Sequence, residues 1–335
     1  MPNLPRIRRA SGRAASGSAD GDTPAAREPD IQRLEAHGVT WLNIESPTEV
    51  EIEWLAQNHR FHPLDLEDVR SRRRQRAKID EYDDYVFIVL HFPRFDKRTQ
   101  RLQAAELNLF VADNLVITLP NEHMKALSAM FSRCESREET RRQMMARGSG
   151  YLLYAIVDAM FDYCFPILDK IGFKLDALED EIFEGGGEDI VRDISNVKQE
   201  IINYRRIIQP QRPTLRRLER EVHEYAPQDL EIYFDDIVDK NERIWDLLEG
   251  YKEVAEALEA TNESVITHRS NEIIRVLTVL SALMLPLTLI TGFYGMNIDA
   301  LMFAHHGWLS VLFVVTVMVA TAAGLLGWFR HRRWI

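Results

Sequence analysis

Polar and small side chains recur at intervals of three and four residues through an apolar segment near the end of the chain. They are Asn271, Thr278, Ser281, Thr288, Gly292 and Gly295, with Ile274 and Leu285 at the two remaining positions of the repeat. This spacing predicts that all eight, called here the polar stripe, lie on one side of an α-helix. Amide and hydroxyl oxygens accept hydrogen bonds, so this side could bind the waters around a hydrated cation without removing them.

The segment that carries the polar stripe has no ionisable side chain between residues 276 and 293. Proton relays and carboxylate carriers use charged groups inside the membrane, so the sequence argues against both. A path of neutral oxygens suits Mg²⁺, which loses its water ligands reluctantly. A stripe of small residues is equally typical of close packing between membrane helices, and both interpretations stay open here. On the opposite side, Leu280, Leu283, Leu287 and Ile290 predict a lipid-facing surface.

Two uncharged segments at the C-terminal end have the length of membrane spans. The first, residues 276–293, would form roughly 27 Å of helix, close to the ~30 Å hydrocarbon thickness of a bilayer. The second covers residues 308–329, and the outer loop between them, residues 295–307, contains no Lys or Arg. Basic residues lie before the first span and after the second. The positive-inside rule therefore predicts a multi-pass protein of a bacterial inner membrane with both termini in the cytoplasm.

The rest of the chain predicts a disordered tail, an α+β domain and a long helical region. Residues 1–30 are rich in Arg, Ala, Gly and Ser and have no apolar core. Residues 31–147 mix strands and short helices, with strands predicted at 39–44 and 85–92 and a hairpin at 106–119. Residues 148–272 are helical. If the last helix is continuous from 229 to 293, its length is roughly 98 Å, which indicates a stalk and not a globular core element.

Composition excludes several classes of function. The formal net charge is −11, which argues against a nucleic-acid-binding protein. Cys134 and Cys164 are the only cysteines, so a thiolate zinc cluster is not predicted. The sequence contains no P-loop, GxSxG or HExxH pattern, and we do not predict an enzyme.

Residues 294–297 read YGMN and directly follow a span that ends in PLTLITGF. With a second C-terminal span and the basic tail RHRRWI, this arrangement resembles the CorA family of divalent-cation channels. Further similar stretches lie within residues 61–68, 85–90 and 271–278, and the resemblance covers about residues 31–335. It implies a funnel-shaped homopentamer in which an α+β cytoplasmic domain and a helical stalk precede a transmembrane domain at residues 273–335.

The resemblance also implies roles for individual residues in the membrane domain. Gly295, Met296 and Asn297 would form the selectivity motif at the outer mouth, where Asn297 presents its amide oxygen to the hydrated ion. Leu277 and Leu285 would be apolar constrictions that close the pore by dewetting. Combined with the polar stripe, which supplies Thr278, Ser281 and Gly292, the resemblance gives the predicted pore-lining residues Asn271, Leu277, Thr278, Ser281, Leu285, Thr288 and Gly292.

Two carboxylates in the cytoplasmic part match a regulatory metal site of the family by position. Asp96 follows the strand at 85–92, and Asp236 lies on the stalk helix. The resemblance implies that Mg²⁺ binds between them across a subunit boundary, so that the ion is both substrate and regulator. Two carboxylates repel each other unless a cation bridges them, so loss of Mg²⁺ would loosen the closed state. The alternative is that each is a solvated surface residue.

The outer loop departs from the family pattern, in which strongly Mg²⁺-selective members often carry a Glu. Here the loop reads IDALMFAHHG, with Asp299 as its only acid and His305 beside His306. These three are candidate metal ligands, and imidazole suits Zn²⁺, Ni²⁺ or Co²⁺ better than Mg²⁺. A zinc transporter of the ZntB branch is therefore the alternative to a Mg²⁺ channel. A membrane-anchored metal sensor that does not conduct is a second alternative.

Overall fold

The computed structural model describes residues 28–71, 74–99, 101–184, 189–221, 230–296 and 307–334. The chain forms two compact units. The first comprises the described residues up to Leu90 together with Glu106–Leu153, and the second comprises His91–Ala105 and the described residues from Tyr154 onward. The disordered tail predicted for residues 1–30 falls almost entirely outside the described residues.

A six-stranded mixed sheet has the strand order β1-β2-β6-β5-β4-β3. The strands are β1 (Gln32–Ala36), β2 (Val39–Asn43), β3 (Lys78–Glu81), β4 (Val86–Asp96), β5 (Arg101–Ala112) and β6 (Leu115–Pro120). The pair β2–β6 is parallel, whereas β1–β2, β3–β4 and β5–β6 are antiparallel. The strands predicted at 39–44 and 85–92 and the hairpin at 106–119 are confirmed. β4 is buried on both faces from Val86 to Pro93, as its uninterrupted apolar sequence predicts.

The core of the first unit lies between the sheet and the short helices beside it. These helices are α1 (Glu49–Asn58), α2 (Pro63–Arg70), α3 (Lys125–Ser136) and α4 (Glu138–Met145). Ile52 and Leu55 of α1 pack in one cluster with Phe87, Phe110 and Ile117 of the sheet. Strands with helices around a shared apolar core confirm the α+β character of this part of the chain.

The second unit is dominated by helices. They are α5 (Ser149–Asp162), α6 (Phe165–Glu184), α7 (Asp189–Ile208), α8 (Arg212–Glu221), α9 (Glu231–Gly295) and α10 (Trp308–His331), with a 3₁₀ turn at Gln209–Gln211. The long helix is confirmed: α9 is continuous over 65 residues and passes through Pro286. At 1.5 Å per residue it is roughly 98 Å long.

Within the described residues, three helical segments are long and apolar enough to cross a membrane, one more than the sequence predicts. They are Ser149–Glu184, Glu231–Gly295 and Val311–His331. The chain itself buries 44% of the apolar stretch in the first, but only 6% and 0% of the stretches in the other two. Packing within the chain thus accounts for the apolar character of the first segment. The other two leave their apolar surface to be covered from outside the chain.

Candidate functional site

α10 packs along one side of the C-terminal half of α9, residues 263–295, which is mostly apolar and is called here the apolar half. The buried and half-buried residues of α9 in this stretch are Val279, Ala282, Leu283, Pro286, Leu287 and Ile290. Those of α10 recur with the same spacing at Val314, Val317, Met318, Thr321, Ala322, Leu325 and Phe329. The expectation that Leu283, Leu287 and Ile290 face lipid is therefore wrong, because α10 of the same chain packs against them.

The polar stripe occupies the side of α9 that α10 leaves uncovered. Every member from Asn271 to Gly295 is exposed in the single chain. With 100° of rotation per residue, the centre of the stripe lies about 150° around the helix from the covered side. The spacing in the sequence therefore identified a real face of α9, and nothing else in the described part of the chain buries that face.

The threonine hydroxyls of the stripe have their protons engaged by the helix itself. Thr278 Oγ1 donates to the carbonyl oxygen of Ile274 at 2.7 Å, and Thr288 Oγ1 donates to that of Met284 at 2.7 Å. A hydroxyl has one proton and two lone pairs, so each of these oxygens presents only acceptor sites to its surroundings. The waters of a hydrated cation direct their hydrogens outward, and oxygens of this kind match them.

The uncovered face of α9 also carries two leucines and two glycines. Leu277 and Leu285 are 60% and 71% exposed, so their side chains extend away from the chain at two levels of the helix. Gly292 and Gly295 have open space where a Cβ would lie. α9 ends at Gly295, and the amide of Met296 bonds back to the carbonyl of Phe293 at 3.4 Å. The remaining predicted outer-mouth residues, Asn297, Asp299, His305 and His306, lie outside the described residues.

Asp96 lies where β4 ends, and it organises the turn into β5. Its carboxylate accepts hydrogen bonds from the backbone N–H of Arg98 at 2.9 Å, the hydroxyl of Thr99 at 2.8 Å and the amide of Gln103 at 3.2 Å. The bond from the Arg98 backbone, followed by that from Thr99, lowers the pKa of Asp96 below its usual value. The carboxylate is therefore ionised at neutral pH.

Asp236 belongs to a different group of charges on α9. Its carboxylate oxygen lies 3.7 Å from Lys240 Nζ, which also donates to Asp162 at 2.8 Å and to Asp158. Burial alone would lower the pKa of Lys240, but the hydrogen bonds to the two α5 carboxylates outweigh it and raise that pKa. Burial also raises the pKa of Asp158. Lys240 thus serves as the cation of this acidic group.

Within one chain, the structure gives Asp96 and Asp236 separate sets of partners. Among the residues that it describes, no group of three or more His, Cys, Asp or Glu side chains could hold a metal ion. The Lys240 group was not predicted from the sequence. A signal was present, because Asp158 and Asp162 stand four residues apart on one helix, and like charges at this spacing repel unless a cation lies between them.

Comparisons with known proteins agree with this architecture. A sequence model of CorA-like Mg²⁺ transporter proteins matches residues 36–332. The chain is 28% identical over 298 residues to the cobalt/magnesium transport protein CorA of Thermotoga maritima, covering 88% of this chain and 83% of that protein. It is 21% identical over 295 residues to the zinc transport protein ZntB of Yersinia pseudotuberculosis, covering 88% of each.

The fold is shared with a solved member of the same group. The complete structure of the CorA magnesium transporter from Methanocaldococcus jannaschii superposes with a TM-score of 0.77 at 22% identity, covering 90% of this chain and 93% of that one. The match includes the soluble part, the long helix and the apolar C-terminal helices. The family model spans most of the sequence, and the chain belongs to the family of CorA-like Mg²⁺ transporter proteins.

Proposed function

We propose that this chain forms a homopentameric channel that conducts hydrated Mg²⁺ across a bacterial inner membrane, with Co²⁺ and Ni²⁺ as further substrates. The family consists of transporters and not enzymes, and its Thermotoga maritima member is named for cobalt and magnesium transport. α9 and α10 of one chain cannot enclose a water-filled path. Several copies must therefore surround an axis. In the proposed orientation both termini lie in the cytoplasm.

One observation carries the proposal: the side of α9 left open by α10 is the side that presents acceptor-only oxygens. Thr278 and Thr288 can hydrogen-bond the waters of a passing ion without competing for its inner shell. Asn297 would make the first contact at the outer mouth, together with Gly295 and Met296. The membrane potential can drive entry, because moving two charges through 100 mV yields roughly 4.6 kcal/mol.

We further propose that the pore closes at Leu277 and Leu285 and that cytoplasmic Mg²⁺ favours the closed state. Rings of exposed leucine side chains around an axis would exclude water and block a hydrated ion. Asp96 is half-buried and ionised, and the side chain of Asp236 is 52% exposed, so both carboxylates remain accessible to a neighbouring subunit. A Mg²⁺ ion between them would offset their repulsion, and its loss would release the subunits.

Ion uptake into liposomes that contain the purified full-length protein tests the proposal. We expect uptake of Mg²⁺ that is abolished in Asn297→Ala and reduced at least tenfold in Thr288→Val. Thr316→Val is the matched control, because Thr316 makes the same 2.7 Å hydroxyl bond to its own helix but is exposed on α10. Equal loss of uptake in both threonine variants would contradict the assignment of the polar stripe to the pore.

The two alternatives predict different results in the same assay. Uptake of Zn²⁺ without Mg²⁺ would support a ZntB-type transporter, and Asp299, His305 and His306 would become the candidate ligands. Binding of metal without uptake of any ion would support a membrane-anchored sensor.

The proposed regulatory site is tested in the same assay. If Asp96→Asn weakens the inhibition of uptake by Mg²⁺ while uptake itself is retained, the result would support Asp96 and Asp236 as the regulatory metal site.

A further inference from the structure

The end of α10 is closed by a complete hydrogen-bonded cap, formed by residues 328–334 and called here the C-terminal cap. The amide of Trp334 donates to the carbonyl of Phe329 at 3.0 Å, and the amide of Arg333 donates to that of Arg330 at 3.1 Å. The rings of Trp334 and Phe329 lie 5.8 Å apart. These two bonds and this apolar contact define a Schellman motif.

Arg333 occupies the position of this motif that normally holds glycine. Its φ is +57°, in the left-handed region where a side chain is disfavoured. Glycine would close the same cap at lower cost. A side chain at a strained position suggests that its guanidinium has a use that outweighs the strain.

The C-terminal cap concentrates unpaired positive charge. It contains Arg330, Arg332 and Arg333, and no Asp or Glu occurs in the sequence after Asp299. All three arginines are exposed, and within the described part of the chain none forms an ion pair. Arg332 lies over the ring of Trp328 at 5.8 Å, which orients this guanidinium beside an exposed indole.

The cap also lies at the depth of lipid phosphates if α10 spans a bilayer. Trp308 begins the helix, and Arg330 follows 22 residues later, which corresponds to roughly 33 Å. Trp308 at one end and Trp328 and Trp334 at the other are 73%, 53% and 42% exposed. Tryptophans at both ends of an apolar helix are typical of the two membrane interfaces.

We propose that the C-terminal cap binds the phosphate headgroup of an anionic phospholipid. This inference rests on the proposed function only in that α10 must span the membrane. The arginines supply forked donors that match phosphate oxygens, and the exposed indoles supply surface for the glycerol and acyl region. A free phosphate would use only the first of these features, so the combination favours a lipid.

A simpler explanation is that the arginines stabilise the helix end, because cations interact favourably with the negative end of the helix dipole. Lipid affinity of the variant Arg333→Gly separates the two explanations. Glycine suits the left-handed position, so the cap should be retained and made more stable. Affinity for the lipid should nevertheless fall if the Arg333 guanidinium binds lipid.

Native mass spectrometry of the delipidated full-length protein can measure the affinity of the first bound lipid. Phosphatidylglycerol and phosphatidylcholine with identical acyl chains are the two probes. We expect Arg330→Gln, Arg332→Gln and Arg333→Gly each to weaken phosphatidylglycerol binding about fivefold, while phosphatidylcholine binding is unchanged. Arg192→Gln removes an exposed arginine from α7 and should change neither affinity. Trp334→Ala keeps every charge and should still weaken binding, because it removes the contact that closes the cap.

Each other outcome has a defined meaning. Equal affinity for the two lipids in the wild-type protein would overturn the proposal. Displacement of phosphatidylglycerol by millimolar glycerol 3-phosphate would also overturn it, in favour of a site for free anions. Binding of neither lipid would also overturn the proposal, whereas conduction is tested separately by uptake into liposomes.

Discussion

The N-terminal half of α9, residues 231–262, packs against its own chain in a different way from the apolar half, residues 263–295. The N-terminal half buries a residue at every seventh position: Phe234, Asn241, Leu248, Ala255 and Asn262. This heptad pattern is typical of helices that pack along their length. In the apolar half only Val279 is fully buried, and α10 is the main packing partner.

Ion pairs add to this difference. Glu242 accepts from Arg212 and Arg216 of α8, Glu249 pairs with Arg205 of α7 at 2.6 Å, and Lys240 bonds to two α5 carboxylates. The N-terminal half is therefore held within its own chain, whereas most of the apolar half is left uncovered by the chain. A metal ion or subunit contact that displaces the first half can move the second, because one continuous helix joins them.

The largest expected effect on stability follows from removal of Lys240, the cation that holds α9 to α5. Lys240→Met leaves Asp158 and Asp162 without a counter-charge, and the side chains of Lys240 and Asp158 are each only 21% exposed. We expect a loss of about 2–4 kcal/mol in the free energy of unfolding, measured by urea titration of the full-length protein with near-ultraviolet circular dichroism.

The matched control is Lys252→Met, which removes an exposed pair on the same helix and should cost about 0.5 kcal/mol or less. Adding Asp158→Asn to Lys240→Met should recover part of the loss. A loss as small as that of the control would show that these carboxylates do not depend on Lys240.

A close approach between α6 and α9 gives the next effect. A Cβ on Gly172 would lie 2.9 Å from the hydroxyl oxygen of Tyr251, so Gly172→Ala must displace that side chain. We expect a net loss of about 1–2 kcal/mol in the same titration, because the cost of overpacking exceeds the gain of about 0.5–1 kcal/mol from alanine within a helix.

Gly250 lies next to Tyr251 in the middle of α9 and has nothing within 4 Å of its Cβ position. Gly250→Ala should stabilise the protein by about 0.5–1 kcal/mol, because alanine favours the helix. Effects of the same sign in the two variants would refute the close approach. Tyr251→Phe should rescue Gly172→Ala in part, since it removes the atom at 2.9 Å.

Asn241, in the heptad pattern of the N-terminal half of α9, gives a prediction in which the substitution stabilises the protein. It is buried, and among the described residues neither its amide nitrogen nor its amide oxygen has a hydrogen-bond partner. Asn241→Leu should raise the free energy of unfolding by about 1–2 kcal/mol, since it removes an unsatisfied buried group. A buried Asn in a heptad can instead fix the register of the packed helices. If it does so here, the gain in stability should accompany impaired closure of the pore by Mg²⁺.

The sequence predicted those features of α9 that depend on local spacing. Its length followed from the scarcity of helix-breaking residues, since Gly250 is the only Gly or Pro between residues 229 and 275, and the polar stripe followed from a repeat of three and four residues. Both properties depend on positions that are close in the chain. The short strand β3, with the sequence KIDE, has no apolar alternation and was not predicted, because its pairing with β4 determines its structure.

Contacts between distant elements could not be predicted in the same way. A helical period identifies a face but does not say what packs against it. Leu283, Leu287 and Ile290 were therefore assigned to lipid when α10 covers them. Lys240 is 82 residues from Asp158, and no local pattern joins the two. The same limit applies to Asp96 and Asp236, whose pairing across subunits stays a prediction.

The smallest expected effect on stability comes from a substitution in the apolar half of α9, where the covered and uncovered sides should respond differently. Leu283 lies on the side covered by α10, whereas Leu285 lies on the uncovered polar stripe. Leu283→Ala should loosen the packing of α9 on α10 and cost about 1 kcal/mol, a modest loss because helix packing in lipid depends on van der Waals contact. Faster hydrogen exchange in α10 would report it. Leu285→Ala should leave that exchange unchanged and instead raise Mg²⁺ leak through the closed pore, because it widens the proposed constriction. If both variants alter the exchange of α10 equally, the two sides of α9 do not have the separate roles inferred here.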